Sequence, residues 1–347
     1  MKKFRKKTTQ SARLQGANTA QTQMFTFGEP IPMLDKADMM NYLYCSVAND
    51  RWFNPPISWS GLAKSLRAST HHESAITVKA NLLADTCVIN QPHILTHTAL
   101  VSFIKDYYVF GNAYFEAVRN RLGKIIRLEA PLAKYMRKGV EDGRYFYIGN
   151  HLDEHEFSPN SIFHFIEPDI NQDIYGLPHY LSALQSAWLN ESATLFRRKY
   201  YLNGAHAGFV FYMSDAAQKQ DDIENLRKQL RESKGVGNFK NLFIHSPNGK
   251  KDGIQIIPIA DVAAKDEFFN IKNVSRDDIL AAHRVPPQLM GIIPNNTGGF
   301  GDIEKAAKVF LAIEIIPLQK RLQAINHWFG SELLTFKPSS LLSEPQP

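Results

Sequence analysis

The chain has 347 residues, of which 44% are hydrophobic and 21% charged, and its formal net charge is +6. This is ample for a sizeable buried core, whereas two cysteines are too few for a disulfide framework. No apolar run approaches the roughly 20 residues of a membrane helix, and no apolar signal-peptide core follows the basic N-terminus. We therefore expect a protein made in the cytoplasm with no membrane partner.

The positive charge is concentrated at the N-terminus. The residues before Glu29 include no acidic residue and six basic ones, Lys2, Lys3, Arg5, Lys6, Lys7 and Arg13, which leaves 34 basic against 34 acidic residues in the rest of the chain. A domain that grips DNA by neutralising phosphates needs an excess of basic residues, so the body is not a strong DNA clamp. We expect residues 1–24 to form a disordered basic tail that is solubilising or binds nucleic acid or an acidic partner.

The N-terminal half is predicted to contain helices followed by a sheet. Prolines at 30 and 32 make residues 25–33 an extended arm. Helical patterning begins near Asp35 and recurs at 59–86 and 96–110, with Ser60 and Thr70 as N-caps. Four β-prone runs separated by turn signals predict one small antiparallel sheet, formed by 113–119, 125–130, 144–149 and 161–166.

Two long helices are predicted to bracket a smaller insertion. The first spans 178–203, and one stripe of it carries Leu181, Leu184, Trp188, Leu195 and Leu202. The second spans 262–284. Between them, strands at 207–213, 240–245 and 253–259 surround a charged amphipathic helix at 216–233. Such a helix is typical of a solvated face, and in a docking domain it would equally suit a partner.

The C-terminal part is predicted to be a loop followed by one long helix. Residues 285–301 are rich in Pro, Gly and Asn and show no periodicity. The helix at 302–329 has an apolar side formed by Ile303, Ala307, Phe310, Ile313, Leu318, Leu322, Ile325 and Phe329. Because Pro317 lacks the N–H that would bond Ile313, we expect a bend there.

The sequence carries no recognisable catalytic or cofactor signature. It lacks the G-x-x-x-x-G-K-[ST] loop for ATP, and Gly298-Gly299-Phe300-Gly301 does not have dinucleotide-binding spacing. His93 and His97 have metal-ligand spacing, but no Glu follows His93, so a structural role is favoured over a zinc site. We expect no metal, no cofactor and no enzyme. A metal-dependent hydrolase built on these histidines is kept as a competing hypothesis.

Seven short motifs, in order along about 25–330, resemble those of the phage portal protein family, specifically its PBSX-like branch. They are Phe25-Thr26-Phe27-Gly28-Glu29-Pro30, Pro55-Pro56 with Leu62-Ala63, Gly111-Asn112-Ala113-Tyr114, Tyr175-Gly176-Leu177-Pro178, Asn203-Gly204-Ala205, His283-Arg284-Val285-Pro286-Pro287-Gln288-Leu289-Met290-Gly291 and Asn296-Thr297-Gly298-Gly299-Phe300. Each is weak alone, but each falls at a predicted element boundary.

The resemblance implies an α+β portal-type subunit with a mixed wing sheet, long stem helices, a small α/β clip insertion and a kinked long C-terminal helix. Its parts would be the N-terminal arm and wing (25–177), first stem helix (178–204), clip (205–260), second stem helix (261–285), tunnel loop (286–301), C-terminal wing helix (302–330) and short tail (331–347). The short C-terminus is a departure from family members with a long helical crown.

The implied function is structural. The resemblance implies a homo-oligomeric ring, a dodecamer, at one capsid vertex of the virion, through which double-stranded DNA is packaged and ejected. The implied partners are terminase, which carries the ATPase activity, scaffold or capsid protein, and head-completion proteins. The competing hypothesis from another class is a monomeric nucleic-acid-binding adaptor that uses the basic tail.

Two groups of residues are candidate DNA contacts. The uncharged tunnel-loop residues would surround DNA without holding its phosphates, and they are Asn295, Asn296, Thr297, Gly298, Gly299, Phe300 and Gly301. The other interpretation is an ordinary helix–helix loop with Phe300 in the core. Arg197, Arg198 and Lys199, near the end of the first stem helix, would face DNA or interact favourably with the helix C-terminus.

Overall fold

The computed structural model describes residues 45–149, 154–202, 209–213, 254–258, 264–293 and 302–338. Several predictions lie outside these ranges: the basic tail and arm, the strand at 240–245, the charged helix at 216–233 and the C-terminal tail beyond 338.

The described residues form eight α-helices and a few tighter or wider turns. The α-helices are α1 (Trp59–Ser65), α2 (Thr70–Thr86), α3 (His97–Phe110), α4 (Leu184–Leu202), α5 (Ala264–His283), α6 (Ile303–Phe310), α7 (Ile316–Leu322) and α8 (Ala324–Phe329). Short 3-10 turns occupy Ala133–Tyr135, His179–Ala183 and Pro287–Met290, and a π turn occupies Leu311–Ile315. The segment from α6 through α8 is called the kinked helix below.

The strands of the described residues are all paired antiparallel. They are β1 (Val47–Ala48), β2 (Trp52–Phe53), β3 (Cys87–Ile89), β4 (Asn112–Arg119), β5 (Ile125–Glu129), β6 (Met136–Lys138), β7 (Tyr145–Ile148), β8 (Glu154–Glu156), β9 (Ile162–Ile166), β10 (Phe209–Met213), β11 (Ile254–Pro258) and β12 (Leu334–Phe336). Two sheets have three strands, β5-β4-β9 and β6-β7-β8, and the pairs β1-β2, β3-β12 and β10-β11 stand apart.

The prediction of one sheet over 111–166 is wrong. All four predicted strands exist, but β7 pairs with β6 and β8 rather than with the strands of the other sheet. Both partners have three residues, which is too short for an alternating pattern to show.

The predicted helix at 59–86 is interrupted, and both predicted N-caps are displaced. Helices α1 and α2 are separate, and their N-caps are Ser58, which accepts from the Gly61 N–H, and Ser69, which accepts from the His71 N–H. Ser60 and Thr70 lie inside the first turns instead. An N-cap needs an extended backbone beside the helix, and 58 and 69 are the positions that have it.

One large core joins helices α2 and α3, the sheet β5-β4-β9 and the kinked helix. Phe103 of α3 stacks on Phe115 of β4 with ring centroids 4.1 Å apart, and Phe310 and Leu318 of the kinked helix belong to the same buried cluster. A second cluster, rich in aromatic rings, includes Trp59 and Tyr175 and lies between α1, α3 and the start of α4.

The two long helices α4 and α5 pack antiparallel through small and polar side chains. Ala187 packs on Ile279, and Asn190 donates a hydrogen bond of 2.9 Å to Ser275 Oγ. The predicted leucine stripe is buried only in part, since Leu184 is fully buried whereas Leu195 is 50% exposed. Leucine periodicity did not identify this interface because close helix contact uses small residues.

The kinked helix departs from a regular helix just before Pro317. The Ile316 N–H bonds to Leu311 O, five residues back, so the π turn at 311–315 adds one residue per turn where the proline cannot donate. Leu311 and Ile315 are buried, whereas Ile303 and Ile313, which we predicted on the buried side, are 45% and 56% exposed.

Candidate functional site: the junction of the long helices

The Asn112 side chain connects the start of β4 with the segment that leads into α4. Its Nδ2 donates to Phe110 O and Gly176 O, both at 2.8 Å, and its Oδ1 accepts from Gly176 N and His164 Nε2, both at 2.9 Å. Asn112 is fully buried, so these bonds replace those it would make with water. Motifs 111–114 and 175–178, which we treated separately in the sequence, therefore form one unit.

Gly176 is in close contact with backbone from two directions. A Cβ at this position would lie 2.1 Å from Gly111 O and 2.5 Å from Glu167 N, two atoms that are themselves hydrogen-bonded at 2.8 Å. Next to it, the Tyr175 hydroxyl donates to Phe53 O and accepts from Lys138 N. The entry into α4 is therefore fixed by backbone packing.

The exit from α5 is a Schellman motif with an arginine at the left-handed position. Arg284 has φ +56°, its N–H bonds to Ala281 O, and the Val285 N–H reaches back to Leu280 O, both at 3.0 Å. Val285 and Leu280 are both buried, which supplies the hydrophobic contact typical of this cap. The order His-Arg-Val-Pro-Pro is thus a helix stop in which Pro286 blocks continuation of the helix.

A group of charged residues, two of them nearly buried, connects this exit to α2 and to the kinked helix. Lys79 Nζ of α2 donates to His283 O at 3.2 Å and pairs with Glu314 Oε2 of the π turn at 3.1 Å. Glu314 Oε1 in turn accepts from Arg284 NH1 at 2.8 Å. Lys79 and Glu314 are nearly buried, and burial lowers the pKa of Lys79 although the Glu314 charge opposes this. Lys79, Arg284 and Glu314 are called the exit cluster below.

Two histidines join both long helices to α2. His72 Nδ1 lies 2.8 Å from His283 Nε2, and both rings contact Tyr180 at the entry to α4. Burial lowers the pKa of His72 to about 4. The pKa of His283 is also lowered, by burial and by the neighbouring His72 and Lys79. Both rings are therefore neutral at pH 7, and one ring nitrogen of the pair donates to the other.

We expect acid to weaken the fold through His72. The unfolded chain takes up this proton at the ordinary pKa of 6.5, whereas the folded chain takes it up only near 4. Stability from this group is thus complete above pH 6.5 and is lost as pH falls towards 4, by about 3 kcal/mol. Urea unfolding at pH 7 and pH 4 should show a smaller pH difference for His72→Gln than for wild type. Exposed His97→Gln is the control, and equal pH differences in all three proteins would contradict the assignment.

A second ion cluster lies across a pocket of about 140 Å³ from the exit cluster. Glu167 accepts from Arg321 NH1 and pairs with His179 Nε2, both at 3.0 Å, and it also contacts the Tyr107 hydroxyl. Burial alone would raise the pKa of Glu167, but hydrogen bonds from His179 and Arg321 outweigh it and leave the pKa below its usual value. The junction is thus held by two charge clusters that face one small pocket.

The structure describes few of the predicted contact residues. The tunnel-loop residues 295–301 and the six basic tail residues lie outside the described ranges. Arg197 and Arg198 are exposed in the last turns of α4, and Lys199 lies there with them although its side chain is not described. Both interpretations of these three residues, DNA contact and helix C-terminus interaction, therefore remain predictions.

Lys272 on the second long helix adds positive charge beside Arg197, and the sequence did not reveal this proximity. The pKa of Lys272 on α5 is lowered by burial and by the nearby charge of Arg197. Lys272 also donates to Thr194 Oγ1 at 3.1 Å, which places it one turn from Arg197 on the paired helix. No spacing in the sequence relates these positions, because the two helices are separated by the insertion.

The described part of the chain bears on two predictions, that there is no metal site and no membrane-spanning helix. His93 and His97 are both exposed, the first in a turn and the second at the start of α3. No set of three His, Cys, Asp or Glu side chains within the described ranges is arranged to hold a metal. Among those same residues, no helix has the length and apolarity to cross a membrane.

Sequence comparisons identify similar proteins over most of the chain. The family model described as phage portal protein matches residues 91–345. The "probable portal protein" of Escherichia phage P2 is 54% identical over 343 residues, covering 98% of each chain.

Solved structures share the fold at low sequence identity. An HK97 family phage portal protein from Corynebacterium diphtheriae has a TM-score of 0.60 at 14% identity, covering 82% of this chain and 97% of that one. A chain from the neck of a native gene transfer agent particle, computed with C12 symmetry, has a TM-score of 0.56 at 18% identity, covering 80% and 84%. These likenesses confirm the predicted α+β portal-type fold.

Proposed function

The chain belongs to the phage portal protein family, and from this premise we propose that it forms the ring at one capsid vertex through which DNA enters and leaves a tailed-phage head. The observation that carries the proposal is the family match over residues 91–345, which includes both long helices. We expect a structural protein, with the ATPase activity on a separate terminase.

The proposed parts follow the portal architecture. Helices α4 and α5 would be the stem, the insertion at 205–260 the clip, and residues 25–177 the arm and wing. Residues 286–301 would be the tunnel loop, and the kinked helix would complete the wing. The antiparallel pairing of α4 and α5, together with the pairing of β10 and β11 beyond them, supports the assignment of a stem that leads into a clip.

The proposed assembly is a dodecameric ring located in the virion. The clip would dock terminase during packaging and head-completion proteins afterwards, and the wing would contact scaffold or capsid protein. The C12 symmetry of the similar neck particle supports the subunit number. The stem residues Arg197, Arg198, Lys199 and Lys272 would present positive charge to DNA, and the basic tail would add a salt-sensitive contact with DNA or an acidic partner.

The two competing hypotheses are not favoured. A monomeric adaptor would not need the family architecture over most of its length. A hydrolase built on His93 and His97 would need further ligands, and the described residues near them offer none. The portal assignment accounts for the long helices and for the family-like motifs at their ends.

The tunnel-loop assignment predicts a packaging defect when charge is added. We expect the double variant Asn295→Lys/Asn296→Lys to assemble normal rings and to package DNA more slowly, because lysines around the channel would attract phosphates at each step. The measurement is DNA packaged per procapsid over time, and the defect should lessen at higher salt, which screens the attraction.

A matched control adds the same charge elsewhere. Leu122 and Ile170 are 92% and 99% exposed, so Leu122→Lys/Ile170→Lys adds two lysines per subunit without disturbing the core. This control should package like wild type. Normal packaging by well-assembled Asn295→Lys/Asn296→Lys rings would contradict the assignment of this loop to the channel wall.

A further inference from the structure

We propose that Arg284 is a positioning residue that ties the exit of α5, and with it the described start of the tunnel loop, to the kinked helix. The inference rests on the proposed portal function and deepens it, since it names a residue outside the loop that sets how the loop is held. It begins from an unusual backbone conformation.

Arg284 is the exception among the residues with left-handed backbone. Four non-glycine residues in the described ranges have positive φ, and the other three are Asn49, Asp50 and Asn160. Asn and Asp tolerate this region, whereas other side chains are strained in it. The left-handed residue that ends a helix is usually glycine. An arginine at this place therefore suggests a role for its side chain.

The side chain reaches a specific acceptor on another helix. Arg284 NH1 donates to Glu314 Oε1 at 2.8 Å, and Glu314 also holds Lys79, which caps His283 O. The side chain of Arg284 is 55% exposed while that of Glu314 is 9% exposed. An exposed partner adds little stability, so the contact is better explained by geometry than by stability.

The Arg284–Glu314 contact connects the two helices between which the tunnel loop, residues 286–301, runs. Helix α5 ends at His283 and the kinked helix begins at Ile303, so the segment leaves one helix and returns to the other. The Arg284–Glu314 pair joins these two helices beyond both ends of the segment. It thereby limits how far they can turn relative to each other.

Residues 286–292, the described start of this segment, are joined by their own backbone hydrogen bonds and can move as one unit. Leu289 N bonds to Pro286 O, Gly291 N to Gln288 O and Ile292 N to Pro287 O, all at 3.0 to 3.1 Å. Two prolines restrict the backbone at its start. The direction set at Arg284 is therefore carried through residues 286–292, which are the described start of the tunnel loop.

The test uses a substitution that keeps the backbone conformation. Arg284→Gly accepts positive φ and removes only the side chain, while Lys79 stays paired with Glu314. We expect normal rings with a thermal midpoint within about 3 °C of wild type. We expect amide hydrogen exchange at Leu289, Gly291 and Ile292 to be at least about fivefold faster, and DNA packaged per procapsid to fall severalfold. Arg284→Lys should restore part of both.

The control is Asp50→Gly, which relieves the same left-handed conformation at an exposed turn. It should exchange and package like wild type. Unchanged exchange and packaging in Arg284→Gly, or a failure of that variant alone to assemble rings, would overturn the positioning role. Wild-type rings that take up no DNA would contradict the portal function instead, and the exchange measurement would still decide on Arg284.

Discussion

Replacing Gly176 with alanine is expected to destabilise the protein by about 3 kcal/mol or more, enough to abolish most soluble protein. The added Cβ would lie 2.1 Å from Gly111 O and 2.7 Å from Glu167 O. Both are backbone atoms, so no side chain can rotate away. The methyl group would also part the hydrogen bond between Glu167 N and Gly111 O. The measurement is the urea midpoint of purified protein, with soluble yield as the second readout.

The matched control is Gly123→Ala in the β4–β5 turn. Gly123 has φ +81°, and a methyl group added to it would meet no atom within 4 Å, so alanine there meets backbone strain alone, about 1–2 kcal/mol. The two variants separate a steric conflict from a conformational one. Equal midpoints for both would mean that the Gly176 contact with Gly111 and Glu167 is looser than described.

The second large effect is expected from Glu314→Ala. This substitution leaves the Lys79 ammonium buried without its carboxylate, which typically costs about 3–5 kcal/mol. The exposed pair Asp85 and Lys337, 3.3 Å apart, is the control, and Asp85→Ala should cost less than about 1 kcal/mol. The quantity measured is the free energy of unfolding at pH 7 for both variants.

A pH series identifies the cause of the Glu314→Ala effect. Burial already holds the pKa of Lys79 below its ordinary value of 10.5, and loss of Glu314 lowers it further. Between that folded value and 10.5 the unfolded chain binds a proton that the folded chain lacks, so stability of the variant should rise with pH towards 10.5. A destabilisation that does not change with pH would point to lost packing at position 314. If the buried charge of Lys79 is the cause, the double variant Glu314→Ala/Lys79→Met should recover part of the lost free energy of unfolding. If lost packing is the cause, it should not.

Local sequence patterns predicted the long helices and strands. They missed the helix caps and the short strands, which depend on backbone geometry and tertiary contacts. Both long helices and the four main strands of 111–166 could be read from periodicity and turn residues. The serine caps could not, because Ser58 and Ser60 are equally good caps by type and only backbone geometry distinguishes them. The short strands β6 and β8 depend on pairing with β7 and have no signal of their own.

The face of a helix was the least predictable property. A disturbance at the proline was expected, but its form, a π turn over Leu311–Ile315, was not. Most of the predicted apolar side is buried on both sides of that turn, whereas Leu311 and Ile315 are buried in addition and Ile303 and Ile313 are exposed. On α4, leucines suggested one face, and the partner helix lies against Ala187 and Asn190.

The junction itself was predictable only as separate motifs. Gly111-Asn112, Tyr175-Gly176 and His283-Arg284 each looked like a helix boundary. Asn112 and Gly176 are bonded across 64 residues of the chain, and His283 is bonded to His72 across 211 residues. No local rule connects such positions, and the role of Arg284 follows only from its contact with Glu314.

We propose that this chain assembles into a closed ring with a channel. Electron microscopy of the purified 347-residue protein is the decisive measurement. The portal assignment predicts rotationally symmetric rings with a central hole, twelve subunits when assembled with procapsids. A protein that stays strictly monomeric at high concentration, and also when co-expressed with the other procapsid proteins, would contradict it.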